Sequence, residues 1–355
     1  MNRGGLLRRY SGSIWLDRLH WKQISPASLQ KSLRNEELMN IVVLDRMALG
    51  DDIDMSVFDK LGKVTIYERT APDEVVDRLK DADVLLTNKV VIGKEELDRL
   101  PRLKYIGINA TGTNNIDLEY ARKKNVVVTN VKSYSTDSVV QHTFALLFYV
   151  YEKLRHYDDF VKQGKYSEYG CFTYFGERFA ELSGKTWGII GLGEIGRKVA
   201  DIAKAFGCRV IYYSTSGKNS NSDYERVEFG ELLEKSDIIS IHAPLNSHTE
   251  NLMNRAAFEK MKPTAVLINV GRGPIVNETD LLWALKENRI AAAGLDVISV
   301  EPMRKDNPLY GYEDSNRLII TPHIAWATNE ARQRLVDEVY RNLEAFINGE
   351  EQNRV

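Results

Sequence analysis

The chain has 355 residues, with 48 Lys and Arg against 50 Asp and Glu and a formal net charge of -2. That balance carries no electrostatic footprint for nucleic acid or an anionic membrane surface, and a chain of this length is expected to form two domains whose cores need no disulfide or metal staple. The 2 cysteines, Cys171 and Cys208, have no paired spacing, which excludes a cysteine-based zinc site and fits a reducing cytoplasm.

Residues 1–38 carry Arg3, Arg8, Arg9, Arg18, Lys22, Lys31 and Arg34 against Asp17, Glu36 and Glu37. This segment reads either as a basic, Ser-containing targeting peptide or as an extension upstream of a natural start at Met39. It lacks the unbroken apolar core of a secretory signal, and "MNIVVLD" from Met39 reads as a first strand, so the extension is expected to lie outside the fold, disordered or misassigned. From there β-rich runs alternate with helical ones: "IVVLD", "MSVFDKLG", "KVTIYER", "PDEVVDRLKDA", "DVLLTNK", "KEELDRLPR", "LKYIGINA", "DLEYARKKN" and "VVVTNV". Such alternation predicts a parallel sheet with helical crossovers. A long helical pattern follows from about Thr136 to Lys165. Its most apolar part, "HTFALLFYVY", is too short to span a bilayer and reads as a buried helix, with His142 in the core.

A second alternating series runs through "TWGIIGLG", "CRVIYY", "DIISIHAPL", "AVLINVGRG", "AAAGLDV" and "RLIITPH". The helical stretches "FGELLEKS", "NRAAFEKM" and "ETDLLWALKEN" separate these strands, and a last helical pattern ends the chain. The expected architecture is therefore α/β, with two doubly wound parallel-sheet units.

Gly191, Gly193 and Gly196 form a G-x-G-x-x-G pattern that leaves one strand and opens a helix. In that context the first glycine permits a tight turn, the second leaves room for a pyrophosphate, and the third lets helix and strand pack closely. The free N–H groups of the helix N-terminus favour the phosphates. The ribose-reading position, past Tyr213, holds Ser214 and Thr215 instead of an acid. Hydroxyls there bond a ribose but do not repel a 2′-phosphate, and Lys218 would attract one, so a dinucleotide is expected with the choice of NAD or NADP open.

Three further stretches follow strands of the second unit: "NVGRGPIVN" with Arg272, "GLDVISVEP" with Asp296 and Glu301, and "TPHIAWAT" with His323. Ligands of open α/β sheets bind at such strand ends. A guanidinium at 272 can grip a carboxylate through two parallel hydrogen bonds. An imidazole at 323 can protonate a carbonyl oxygen as hydride arrives, and Glu301 would orient that ring and favour its charged form. His242 and His248 are expected to be structural, and His20 and His156 carry no signal. No metal-ligand spacing and no G-x-S-x-G elbow are present.

These motifs, with "GLGEIGRKVA", "HAPLNSHTENLMN" and "LINVGRGPIVNETDL", make the chain from Met39 to Val355 resemble the D-isomer-specific 2-hydroxyacid dehydrogenases. "LLTNKVVI", "YSTDSVVQHTFALL" and "PHIAWAT" are most similar to the glycerate dehydrogenase, or hydroxypyruvate reductase, branch. The resemblance implies a flavodoxin-like substrate domain (39–139 and 327–355) and a Rossmann cofactor domain (140–326) around a cleft, usually in a homodimer. It implies Arg272, Glu301 and His323 as the catalytic set, and Gly191 to Gly196, with Leu192, Glu194 and Ile195, as the phosphate turn. Ser214, Thr215, Pro244, Thr249, Val270, Gly271 and Asp296 would line the cofactor. Ala110, Thr111 and Gly112, with Lys89, would receive the substrate carboxylate. The activity implied is reversible hydride transfer between NAD or NADP and a small D-2-hydroxy acid, hydroxypyruvate/D-glycerate first and glyoxylate next. Two alternatives stay open: another small acid such as phosphoglycerate, formate or phosphite, and a dinucleotide-sensing, corepressor-like binding protein. No nucleic acid, membrane or metal partner is expected.

Overall fold

The computed structural model describes residues 38–218 and 220–355; the expectations for residues 1–37, and for His20, lie outside them. The first unit is a five-stranded sheet made of β1 (Met39–Val43), β2 (Gly62–Ile66), β3 (Val84–Thr87), β4 (Tyr105–Ile108) and β5 (Val127–Thr129). Its order is β2-β1-β3-β4-β5 with every pair parallel, the flavodoxin-like winding. The second sheet has seven strands: β6 (Thr186–Ile190), β7 (Arg209–Tyr213), β8 (Glu225–Arg226), β9 (Ile238–Ile241), β10 (Val266–Asn269), β11 (Ala292–Leu295) and β12 (Leu318–Ile320). The order β12-β11-β10-β9-β6-β7-β8 is that of a Rossmann sheet with one added edge strand.

The inner strands read as near-continuous apolar runs because they are covered on both faces; β3, β4, β9, β10 and β11 are buried at every position. Two long helices carry the chain between the units. Helix α1 (Thr136–Tyr151) follows the first sheet but packs on the second, with Val140, Phe144 and Leu147 against Trp187, Ile189 and Ile268. After Glu194–Ala205 (α2), the last helix, α3 (Asn329–Ile347), returns to the first sheet, where Leu335, Val339 and Leu343 pack on Ile41, Leu86 and Tyr105.

Two local expectations change, and one strand had not been expected. The helical pattern from Thr136 to Lys165 is not one helix: Lys153 takes a left-handed conformation (φ 57°) that ends α1, and a separate helix covers Leu154–Lys162. The Lys153 ammonium donates to the Asn316 carbonyl (3.1 Å), a tertiary contact invisible to periodicity. "MSVFDKLG" forms a 3-10 turn over Ser56–Lys60, too short for an α-helix. Strand β8, two residues long, has too little sequence to announce itself.

Candidate active site

Each sheet has one topological switch point, where the winding reverses, and there a crevice opens at the strand ends. In the second sheet it lies between β6 and β9. The Gly191–Gly196 turn leaves β6 there, and Ala243 and Pro244 leave β9 beside it. Gly191 has φ 91°, and a Cβ on it would stand 2.9 Å from the Ala243 Cα. A Cβ on Gly196 would stand 2.3 Å from the Gly191 carbonyl oxygen, whereas a Cβ on Gly193 would meet nothing within 4 Å. Two glycines are thus required by the fold, and the middle one faces open space at the α2 N-terminus, as a phosphate cradle requires. Gly193→Ala is therefore expected to leave the melting temperature unchanged and to raise the dissociation constant of the cofactor about tenfold or more. Gly196→Ala is expected to destabilise the domain by about 2–3 kcal/mol, because backbone must move to admit the methyl. Thermal melts and cofactor titrations of the two variants check the contrast.

The other expected cofactor positions surround this turn. Leu192 and Val270 are buried, Ile195 half-buried, and Pro244 exposed. Gly271 lies close to the Ala243 carbonyl and is fixed by Asn269, whose Oδ1 accepts from the Gly271 N–H (3.0 Å). Thr249 is fully enclosed: its hydroxyl donates to the Pro244 carbonyl (2.7 Å) and accepts from the Asn246 N–H (2.8 Å), so it shapes the turn that carries Pro244. Glu194 accepts from the hydroxyls of Ser133 and Thr136, in the crossing between the units. Ser214 is buried and Thr215 half-buried just beyond β7.

The chemical side chains come together across the two units. His323 Nδ1 and Glu301 Oε2 are 2.7 Å apart. Both remain partly accessible to solvent. Burial acts to raise the Glu301 carboxyl, but the hydrogen bond and charge of His323, the Ile298 N–H and Lys89 outweigh it and hold it below its ordinary value. His323 sits at φ 56°, unusual for a residue with a side chain. Its N–H is held by the carbonyls of Asp296 (2.8 Å) and Thr321 (2.9 Å). The loop bearing Glu301 is held by Glu278, which accepts from the Ser299 N–H (2.5 Å), the Ser299 hydroxyl (2.7 Å) and the Asn307 amide (2.7 Å).

Arg272 follows β10, with Nη1 on the Gly271 carbonyl (2.8 Å) and Nη2 pointing across at the first unit. There it lies 3.2 Å from where a Cβ on Gly112 would be. Gly112 belongs to the loop after β4. That loop is pinned by Thr111 to the Val131 carbonyl (2.7 Å) and by Asn130 to the Thr111 carbonyl (2.6 Å); Ala110 accepts from the Val131 N–H. Lys89 follows β3, at the switch point of the first sheet. Its ammonium is pushed below its ordinary value by desolvation among these loops and by Arg272, against the pull of Glu301 and Asp45. Guanidinium, ammonium and the His–Glu pair thus feel one another in a single cluster.

Sequence reasoning missed the residues that hold this cluster. Asp45, at the end of β1, accepts from the N–H groups of Asn88 (2.9 Å) and Lys89 (2.6 Å) and so sets the turn that aims Lys89. An acid ending the first strand was the available signal. His142 is not a core residue: its Nε2 lies 3.0 Å from the Thr321 hydroxyl and 3.4 Å from Asp296. Facing a buried carboxylate explains a histidine on an apolar helix. His242 pairs through Nε2 with Ser240 (2.9 Å), and burial pushes its pKa down to about 3. Its Nδ1 is buried without a hydrogen-bond partner among the described residues, so its structural role is only half satisfied.

Asp296 stands behind the site. It is 1% exposed and accepts from the Thr321 hydroxyl (2.6 Å), the Ile324 N–H (2.8 Å) and the Ala325 N–H (2.8 Å), leaving Oδ2 room for one more donor. Burial alone would raise its carboxyl, but His142, Thr321 and the two N–H groups lower it below 3.8. A depressed carboxylate stabilises the fold fully above its unfolded value and loses that contribution as pH falls below it. Asp296→Ala is expected to cost about 3 kcal/mol in urea unfolding at pH 7, because one buried and two part-buried donors lose their acceptor, and to displace the His323 loop.

Two surface hollows of about 480 and 500 Å³ lie elsewhere, one from Asp52 to Asp337 and the other between Arg155 and Asn316; neither contains these side chains. Among the described residues no His, Cys, Asp and Glu cluster is arranged for a metal, and no helix is long and apolar enough to cross a membrane.

Residues 144–325 match the family model of the D-isomer specific 2-hydroxyacid dehydrogenase NAD binding domain. The chain is 39% identical to a hydroxypyruvate reductase of Blautia hydrogenotrophica, over 89% of this chain and 99% of that protein. It is 36% identical to a glycerate dehydrogenase of Methylorubrum extorquens, over 89% and 98%. Among solved structures, an acyclic imino acid reductase in complex with NADPH and D-Arg superposes with a TM-score of 0.79 at 33% identity, covering 89% of this chain and all of that one. Fold, glycine turn and family match agree: the chain belongs to the D-isomer-specific 2-hydroxyacid dehydrogenases, as an NAD(P)-dependent oxidoreductase moving hydride between a nicotinamide and a small 2-hydroxy or 2-keto acid.

Proposed function

We propose that the chain reduces hydroxypyruvate to D-glycerate, with glyoxylate as a second substrate, in the cleft between its two sheets. The observation that carries this reading is the 2.7 Å His323–Glu301 pair in the same electrostatic cluster as Arg272 and Lys89. Arg272 binds and orients the substrate carboxylate and polarises the carbonyl, while the N–H groups of the Ala110–Gly112 loop complete the anion site. Lys89 adds positive charge to the rim, suiting an anionic acid with a polar C3 group. When bound, the nicotinamide supplies the hydride. His323 gives its proton to the carbonyl oxygen as C2 is reduced and takes it back in the reverse direction; Glu301 holds the ring through Nδ1, which leaves Nε2 for the substrate. Asp296 has one acceptor position left for the carboxamide of the cofactor.

In this reading residues 39–139 and 327–355 form the substrate domain and 140–326 the cofactor domain, supported by the packing of α3 on the first sheet and α1 on the second. The chain works in the cytoplasm as a homodimer. The dimer is supported by the arm before β6, which exposes Phe172 (89%), Phe175 (86%) and Phe179 (59%) to solvent. Initial rates of NADH and NADPH oxidation with hydroxypyruvate, glyoxylate and pyruvate test the activity. Hydroxypyruvate is expected to give the highest kcat/KM, and no turnover with any of the three would overturn the reading.

A further inference from the structure

We propose that the chain selects the 2′-phosphorylated cofactor, NADPH, and that Arg226 on the edge strand β8 is the selecting side chain, assisted by Lys218. The proposal rests on the reading that the Gly191 turn holds a dinucleotide. In a Rossmann sheet the adenosine ribose of such a ligand lies over the end of the second strand, here the end of β7.

At that end the chain makes a tight turn, closed by the Gly217 N–H on the Ser214 carbonyl (3.1 Å), with Gly217 at φ 69°. No carboxylate stands between Ser214 and Lys218, so nothing there repels a dianion; Thr215 and Ser216 offer hydroxyls instead. β8 pairs in parallel with β7, Arg226 opposite Tyr212, which places Arg226 close to the same turn. Its Nη1 donates to the Gly217 carbonyl (3.0 Å), and its Nη2 lies 4.0 Å from where a Cβ on Gly217 would stand.

That one bond anchors the guanidinium at the turn and leaves donors for a ligand. Arg226 and Lys218 are both exposed. Among the described residues neither has a carboxylate within ion-pair distance, whereas adjacent Glu225 is taken by Arg209 (2.6 Å). A planar fork held on one side, a lysine and two hydroxyls around one turn form a receptor for a phosphate monoester. The short β8, otherwise an unremarked edge, is what brings the arginine there.

The test measures kcat/KM for NADPH and NADH with saturating hydroxypyruvate, and the dissociation constants of NADP+ and NAD+ by calorimetry, for the full chain and for Arg226→Ala, Arg226→Lys and Lys218→Ala. The natural chain is expected to favour the phosphorylated cofactor by about tenfold or more, equivalent to about 1.4 kcal/mol. Arg226→Ala should lose most of that preference through KM for NADPH while NADH values stay within about twofold, Arg226→Lys should keep part of it, and Lys218→Ala should lose less. Equal or better use of NADH by the natural chain would overturn the proposal. So would an Arg226→Ala loss shared equally by both cofactors, which would mark the arginine as only a tie for the turn. If no 2-keto acid turns over, the substrate reading fails, yet the ratio of NADP+ to NAD+ affinities, and its loss in Arg226→Ala, still decides this proposal.

Discussion

His323→Asn is expected to lower kcat for hydroxypyruvate reduction by about 10²–10⁴-fold, the usual worth of a positioned proton donor, while cofactor binding stays within about twofold. Asparagine is the informative replacement because position 323 sits at φ 56°, a conformation that Asn tolerates better than Ala. The variant keeps the backbone that hydrogen-bonds Asp296 and removes the group able to deliver a proton. Stopped-flow measurement of single-turnover rates, beside cofactor titration by fluorescence, separates chemistry from binding. Retention of more than a tenth of the natural rate would remove His323 from the proton path. A parallel loss of cofactor affinity would mean that the loop, not the imidazole, had failed.

Arg272→Ala is expected to cost about 10²–10³-fold in kcat/KM, mostly through a raised KM with a smaller fall in kcat, because a bidentate grip on a carboxylate is lost in both ground and transition states. Arg272→Lys should recover only a small part: a point charge restores attraction without the two parallel bonds that fix the plane of the keto acid. Lys89, whose own field is coupled to Arg272 and Glu301, stays in place and prevents a complete loss of anion affinity. Steady-state kinetics over a wide substrate range is the check. A fall in kcat alone, with KM unchanged, would assign Arg272 to the transition state only.

What the sequence made legible follows physical rules with short range. The glycine turn could be read because each glycine answers a local demand: a positive φ at Gly191, a close carbonyl at Gly196, empty space at Gly193. Both sheets could be read because strands covered on two faces are apolar at nearly every position. The residues that position the site were less visible, since their partners lie far along the chain. Asp45 holds a turn 43 and 44 residues away, and His142 reaches Thr321 across 179. Neither distance leaves a mark in periodicity. Arg226 was hidden for a related reason: its placement depends on a two-residue edge strand. The break of the long helix at Lys153 needed no Gly or Pro, because a tertiary hydrogen bond to Asn316 accompanies the left-handed residue.

The two sheets bring different chemistry to one cleft. In the proposed reading, the second sheet supplies the proton donor, its carboxylate and the guanidinium on loops after β10, β11 and β12. The first places the Ala110–Gly112 loop after β4 and Lys89 after β3, which the same reading makes the anion site. On that reading neither unit alone holds a complete site, which ties activity to the crossings at Ser133–Ser138 and Thr321–Thr328. These crossings are braced by the Ser138 hydroxyl on the Ala325 carbonyl (2.5 Å) and by Arg334 on the Tyr134 carbonyl (3.0 Å).

The most direct measurement is a crystal structure of the chain with NADPH and tartronate, a hydroxy acid that cannot pass hydride to the reduced cofactor and so gives a dead-end complex. The expected density has one tartronate carboxylate on the Arg272 guanidinium and the N–H groups of Ala110–Gly112. The analogue's hydroxyl should lie within hydrogen-bond distance of His323 Nε2, with the nicotinamide ring against the same carbon. A tartronate bound away from Arg272 and His323, or a nicotinamide that cannot approach it with both domains closed, would contradict the shared-cleft chemistry.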